Sequence, residues 1–252
     1  MAGVKFDAHY NVTSVDPPEL FYFIRDNYPD VAIDVPRDAD GNPVSMWSLI
    51  RQNSIPPTRS IRYCCEQLKE VGGKERVTVT GVRWAESARR ESLHDVVDFQ
   101  NKPKGTIKLA KQVGATYRLN AHGNVVMNDD NDANRRLVEQ CYRTRKTLVN
   151  PIVDWMDDDV WEFLNNVAKV PHCCLYDQGF TRLGCIGCPL AGCKNMMRDF
   201  ERWPKYKELY MKAFERMIVA HPEGIKILDG ADTSNLRQCA EKIFTWWTSE
   251  PK

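Results

Sequence analysis

No stretch of about 18 consecutive apolar residues occurs in the chain, so neither a transmembrane helix nor a membrane partner is expected. The opening residues, Met1 to Asp7, lack the apolar run of a secretory signal, and the expectation is a cytoplasmic protein. There is no Gly-rich loop of P-loop type after a first strand, no Ser-His-Asp arrangement and no His-Glu-x-x-His motif. The five histidines, His9, His94, His122, His172 and His221, form no spaced cluster. Neither sign of charge dominates: 35 basic residues face 34 acidic ones, for a net charge of +1. That argues against a generally basic nucleic-acid binder, though not against a local basic patch. Internal repeats and low-complexity tracts are also absent.

What is present is a globular composition. The 252 residues are 42% hydrophobic and 27% charged, enough for a sizeable core in one large domain or two small ones. Nine cysteines stand out. An odd count without a secretory signal argues against a secreted disulfide framework and points to reduced thiols, some of them metal ligands. Charge is uneven along the chain: residues 1–60 carry 5 basic and 8 acidic side chains, residues 61–120 carry 12 and 7, and the remainder 18 and 19. The positive middle third suits an anionic ligand or an ordinary solvated face.

Apolar patterning gives the elements. Val4–Val12 and Val31–Val35 read as strands. A helix between them starts at Asp16-Pro17-Pro18-Glu19, with Asp16 as cap, Pro17 in the first turn, Glu19 closing a capping box, and Leu20, Phe21, Phe23 and Ile24 buried. Ser45–Arg51 and Ser60–Val71 are helical, the latter ended by Gly72-Gly73. Arg76–Val82 reads as a buried strand, and Ala115–Leu119 with Asn124–Asn128 as a hairpin. Asp132–Arg143, Met156–Val167, Pro204–His221 and Asn235–Trp247 are helical, Thr147–Val153 is extended, and Val170–Lys194 is irregular. Strands alternating with helices through residues 1–170 imply an α/β fold: a mostly parallel sheet with helices on both faces. Residues 171–252 carry a Cys-rich loop and a helical extension of the same domain.

The sharpest motif is Gly184-Cys185-Ile186-Gly187-Cys188-Pro189, a C-x-x-C pair whose glycines permit a tight turn and bring two thiolates onto one ion. Further ligands come from Cys173, Cys174, Cys193 or the adjacent Cys64-Cys65. Neighbouring helical side chains diverge by about 100°, so Cys64 and Cys65 are a ligand and a core residue, or reach different irons of one cluster. Spacing leaves iron–sulfur and zinc both open. Cys141 and Cys239 sit singly in helical patterns and read as small buried hydrophobes. A second motif, Gly81 to Arg90 (GVRWAESARR), leaves the carboxyl end of the best strand. There Arg83, Arg89 and Arg90 offer bidentate donors to phosphate or sulfate, Ser87 a hydroxyl, and Glu86 an acceptor. Asp154, before an acidic helix start at Asp157–Asp159, reads as a turn or cap residue.

On five segments the sequence resembles the phosphoadenosine phosphosulfate (PAPS) reductase family of PP-loop proteins: Phe6–Leu20, Pro57–Lys69, Gly81–Arg90, Asn150–Trp161 and Leu175–Gly192. The resemblance implies that the sheet is Rossmann-like and that residues 1–170 form a nucleotide-binding domain, which binds an adenine nucleotide, ATP or PAPS. It implies a 4Fe-4S cluster on Cys64, Cys65, Cys185 and Cys188, with Cys173 as the substitute ligand. It also places Arg83, Glu86, Ser87 and Arg89 near phosphate or sulfate. The family's first strand and its Ser-Gly-Gly-Lys-Asp-Ser-like loop have no counterpart here, and Val4–Val12 matches the family's second strand. The chain is then expected to be truncated, or completed by another chain that supplies this strand. The family's late Glu-Cys-Gly nucleophile has no match at Cys239.

Three functions follow as expectations. The first is nucleotide-dependent sulfur metabolism, by sulfonucleotide reduction or by sulfur transfer to an acceptor such as a nucleic acid, with an iron–sulfur cluster. The second is a catalytically incomplete remnant or partner subunit with a structural, Cys-ligated metal. The third is a zinc-stabilised nucleic-acid-binding or thiolation module. No catalytic residue is assigned.

Overall fold

The computed structural model describes residues 5–73, 76–86, 88–94, 96–99, 111, 117–119, 125–127, 147–228 and 234–249. In chain order the elements are β1 (Ala8–Asn11), α1 (Pro18–Asn27), β2 (Val31–Asp34), α2 (Met46–Gln52), β3 (Val77–Val79), α3 (Ala88–Leu93), β4 (Val97–Phe99), β5 (Tyr117–Leu119), β6 (Val125–Met127), β7 (Thr147–Val149), α4 (Asp157–Glu162), α5 (Cys193–Arg202), α6 (Pro204–Ala220) and α7 (Leu236–Thr248). The chain gathers into two compact units, Met1–Gly72 together with His172–Lys252, and Gly73–Pro171. The mixed α/β class, the short parallel strands and the C-terminal helices agree with the sequence reading. Among the described residues no helix is long and apolar enough to cross a membrane.

In the first unit β1 and β2 pair in parallel, from Ala8 opposite Val31 to Asn11 opposite Asp34, with α1 as the crossover that parallel pairing requires. The start of α1 differs from expectation. Pro17 is the cap and makes no side-chain bond, because the Asp16 carboxylate instead accepts the Thr13 N–H at 2.9 Å. Glu19 does not close a capping box either; it accepts from Trp203 Nε1 at 3.1 Å and from Arg202 at 3.2 Å. Leu20, Phe21, Phe23 and Ile24 are only half-buried. By contrast α2 is capped by a residue the sequence reading did not single out: Ser45 Oγ accepts the Ser48 N–H at 3.2 Å, and Ser48 Oγ accepts the Ser45 N–H at 2.9 Å.

The core of this unit lies where α2, α6 and α7 meet, around Leu49, Ile50, Tyr210, Phe214, Met217, Ile243 and Trp247. Burying each such side chain stabilises by about 1.5–3 kcal/mol. Tyr210 and Trp247 pack with ring centroids 4.8 Å apart, and Trp247 Nε1 donates to the Pro57 carbonyl at 2.7 Å, so the indole's polar edge is satisfied inside the core.

The second unit holds a three-stranded sheet in the order β3-β7-β4 and the β5-β6 hairpin. β3 runs parallel to β7, whereas β4 is antiparallel to it. The hairpin falls where alternation placed it, with Tyr117 opposite Met127. The buried strand expected at Arg76–Val82 is a correction: β3 is an edge strand of three residues, with Val77 57% and Val79 66% exposed. The expected helix Asp132–Arg143 lies outside the described residues. Met156–Val167 is helical, opening with Asp159 accepting the Met156 N–H at 2.8 Å and widening into a π-helix over Phe163–Ala168.

Candidate functional site

The first unit carries four of the sequence-selected thiols, on two segments far apart in the chain. Cys65 opens a short wide helix over Cys65–Lys69, with Cys64 as its cap, and the Glu70 N–H reaches back five residues to the Cys65 carbonyl at 3.0 Å. Such π turns are frequent at functional sites. Cys185 and Cys188 lie on a turn closed by the Cys188 N–H to the Cys185 carbonyl at 3.2 Å. Cys64 feels the charges of Cys65, Cys185 and Cys188 together.

The turn between the paired cysteines is held on three sides. Ile186, fully buried, donates its N–H to Val15 O at 2.7 Å and accepts the Tyr210 hydroxyl at 3.0 Å. Gly187 has φ +71°, and a Cβ there would meet Phe200 Cζ at 2.5 Å, so glycine is required by conformation and by space. Its N–H donates to Asp199 at 3.1 Å. Burial raises the Asp199 pKa, an effect that this hydrogen bond opposes.

Electrostatics separate the thiols. The hydrogen bond between Cys64 and Cys65 pushes Cys64 up, as do burial and the other thiols, and the same bond pulls Cys65 down with help from Arg62 and Lys69. Arg62 Nη2 lies 3.5 Å from Cys65 Sγ. Burial raises Cys185, whose Sγ lies 3.6 Å from Thr13 Oγ1. Desolvation works against the Lys69 cation, but Cys185, Asp16 and Cys188 together outweigh it and hold its pKa above the ordinary lysine value. Two cations therefore attend a set of four thiols. Four thiolates are the donor chemistry of a four-iron cluster or a structural zinc, and these residue types suit such a group. Among the described residues no three His, Cys, Asp or Glu side chains are gathered closely enough to hold a single ion.

Cys173 is buried, and the charges that bear on it are those of Cys174 and Glu19. Cys239 is a core residue of α7, as expected. Arg83 and Glu86 belong to the second unit. The Arg83 guanidinium pairs with Asp157 at 2.6 Å and donates to the Trp155 carbonyl at 3.3 Å, while Glu86 pairs with Arg90 at 2.8 Å. Ser87 and the Arg89 side chain lie outside the described residues. A shallow groove of about 340 Å³ in this unit is lined by Asp154, Trp155, Asp159, Glu162, Phe163 and Val167. Its carboxylates have the wrong sign for a phosphosulfate. Sequence reading missed Lys69, Arg62 and Thr13. Lys69 had a usable signal, because it follows Cys65 by four residues, one helical turn along the same face.

The family model for the phosphoadenosine phosphosulfate reductase domain matches residues 41–191, more than half of the chain. The chain belongs to this family. The match to the PAPS reductase domain spans the second unit and both cysteine pairs. A 70-residue stretch is 40% identical to an uncharacterized protein of Methanocaldococcus jannaschii, covering 27% of this chain and 15% of that one. An 81-residue stretch is 33% identical to the adenosine 5'-phosphosulfate reductase of Allochromatium vinosum, covering 29% of this chain and 31% of the relative. The matched stretches thus span less than a third of either relative's length. No solved structure matches.

Proposed function

We propose that this PAPS reductase-family chain serves sulfonucleotide-dependent sulfur metabolism, as reduction or sulfur transfer, and that Cys64, Cys65, Cys185 and Cys188 hold a 4Fe-4S cluster. The observation that supports this reading is that the charges of Cys65, Cys185 and Cys188 all bear on Cys64, with Arg62 acting on Cys65 and Lys69 on Cys185. Four thiolates around a four-iron core in its oxidised resting state leave a net negative charge, which two neighbouring cations offset. When bound, the cluster supplies electron transfer or an electrostatic anchor for an anionic substrate. The chain's own residues supply the cradle: the π turn presents two thiols side by side, and the Gly187 turn presents two more. Arg83, Glu86, Ser87 and Arg89 are proposed to face the phosphate or sulfate of an adenine nucleotide, in keeping with their place after β3.

The test is anaerobic purification followed by iron and acid-labile sulfide analysis. The expected result is brown protein with about four irons and four sulfides per chain, bleached by dithionite. Colourless protein holding zinc would remove the cluster. Calorimetry with ATP and with PAPS tests the nucleotide separately.

A further inference from the structure

Every backbone N–H from Ile186 to Cys188 is committed to an oxygen. Ile186 donates to Val15 O at 2.7 Å, Gly187 to the Asp199 carboxylate at 3.1 Å, and Cys188 to the Cys185 carbonyl at 3.2 Å. The peptide unit that joins Ile186 to Gly187 is gripped at both ends, because the Tyr210 hydroxyl also donates to its carbonyl at 3.0 Å. Asp199 reaches this place by a local reversal of the chain. A 3-10 turn over Pro189–Ala191 leads to Gly192, at φ +83°, and α5 starts at Cys193. α5 then meets the cysteine turn at two successive residues. Asp199 takes the Gly187 N–H, and the Phe200 ring fills the space beside the Gly187 α-carbon. Gly187 is buried and Asp199 is only 9% exposed, an unusual place for a carboxylate.

We propose that Asp199 is a positioning residue for Cys185 and Cys188: by fixing the Ile186–Gly187 peptide it holds the turn ready for the bound group and slows that group's loss. This rests on the reading that these cysteines serve an iron–sulfur cluster. An ionised carboxylate only accepts hydrogen bonds, so it always presents an acceptor to the Gly187 N–H. Without it a buried N–H is left unpaired, and glycine, the residue freest to rotate, lets the peptide swing toward another acceptor. The two thiols on either side then lose their common setting.

The test uses iron-loaded protein purified without oxygen. It compares wild type with Asp199→Ala, which removes the acceptor, and with Asp199→Asn, which keeps an oxygen able to accept. Ile243→Val, a change in the α7 core, controls for general destabilisation. Two readouts are used: the rate of iron release to a ferrous chelator, and hydrogen exchange of peptides spanning residues 184–189. Asp199→Ala should release iron about 10–100-fold faster, the usual effect of removing a partner that orients a metal ligand. It should also speed exchange in the turn. Asp199→Asn and Ile243→Val should match wild type in both. Where Asp199→Ala fails to fold, Asp199→Glu takes its place with the same expectation, since it keeps the charge and displaces the oxygens. Unchanged release or unchanged exchange in the acceptor variant overturns the proposal. So does release from Asp199→Asn or Ile243→Val that is as fast as from Asp199→Ala. Wild-type protein that takes up no iron overturns the cluster reading and this role with it, and is told apart because iron is missing before any substitution.

Discussion

Replacing Gly187 by alanine tests how tightly the cysteine turn is built. A non-glycine residue at φ +71° occupies the left-handed region at a cost of about 1–2 kcal/mol. The new methyl would also sit 2.5 Å from Phe200 Cζ and 3.1 Å from Cε1. The ring has little room to yield, because Phe200 packs against Phe244 and Tyr210 at centroid distances of 5.2 and 5.7 Å. Overpacking of this kind costs about 1–3 kcal/mol. Together the two effects predict a loss of about 2–5 kcal/mol, a large share of an ordinary domain's stability of about 5–15 kcal/mol. Urea unfolding of metal-stripped protein measures it. In a Phe200→Leu background the steric part disappears and the conformational part stays, so Gly187→Ala should then cost only about 1–2 kcal/mol. An equal cost in both backgrounds would refute the steric argument, and a loss under about 0.5 kcal/mol in the native background would refute both parts.

Tyr210→Phe deprives the buried Ile186 carbonyl of its donor and should cost about 0.5–1.5 kcal/mol in the same urea assay. Cys188→Ala should abolish iron uptake while Cys173→Ala leaves iron per chain unchanged; the reverse would move the ligand set. His9 lies between Asp7 at 2.9 Å and Asp34 at 2.6 Å, and these hydrogen bonds raise its pKa above 6.5. Its link between β1 and β2 is therefore fully present below pH 6.5 and fades as pH rises through the folded-state value. Proton NMR should give a midpoint above 6.5 that falls in Asp34→Asn.

Local chemistry was legible in the sequence where one residue type admits one role. Gly187 makes the turn that its place between the paired cysteines suggested, and Cys239 is the small buried residue that its helical setting suggested. Asp16 failed as a cap because a nearer donor, the Thr13 N–H, claimed its carboxylate, and a cap pattern does not show such competition. Val77 and Val79 looked buried because apolar residues in a short strand do not reveal which side is covered. β4, three residues long, was too short for its alternation to register. The surroundings of the thiols were hidden for another reason. Thr13 meets Cys185 across 172 positions, and no periodicity carries information over that distance.

The first unit is assembled from Met1–Gly72 and His172–Lys252, on either side of the second, and that sets an order of events at the ribosome. Leu49, Ile50 and Leu68 emerge long before α6 and α7, the helices that cover this core. Translation of the intervening Gly73–Pro171 takes roughly 5–20 s at typical rates, and throughout that interval the early segment waits with its apolar side chains uncovered. Ribosomal pausing within the insert would prolong that exposure.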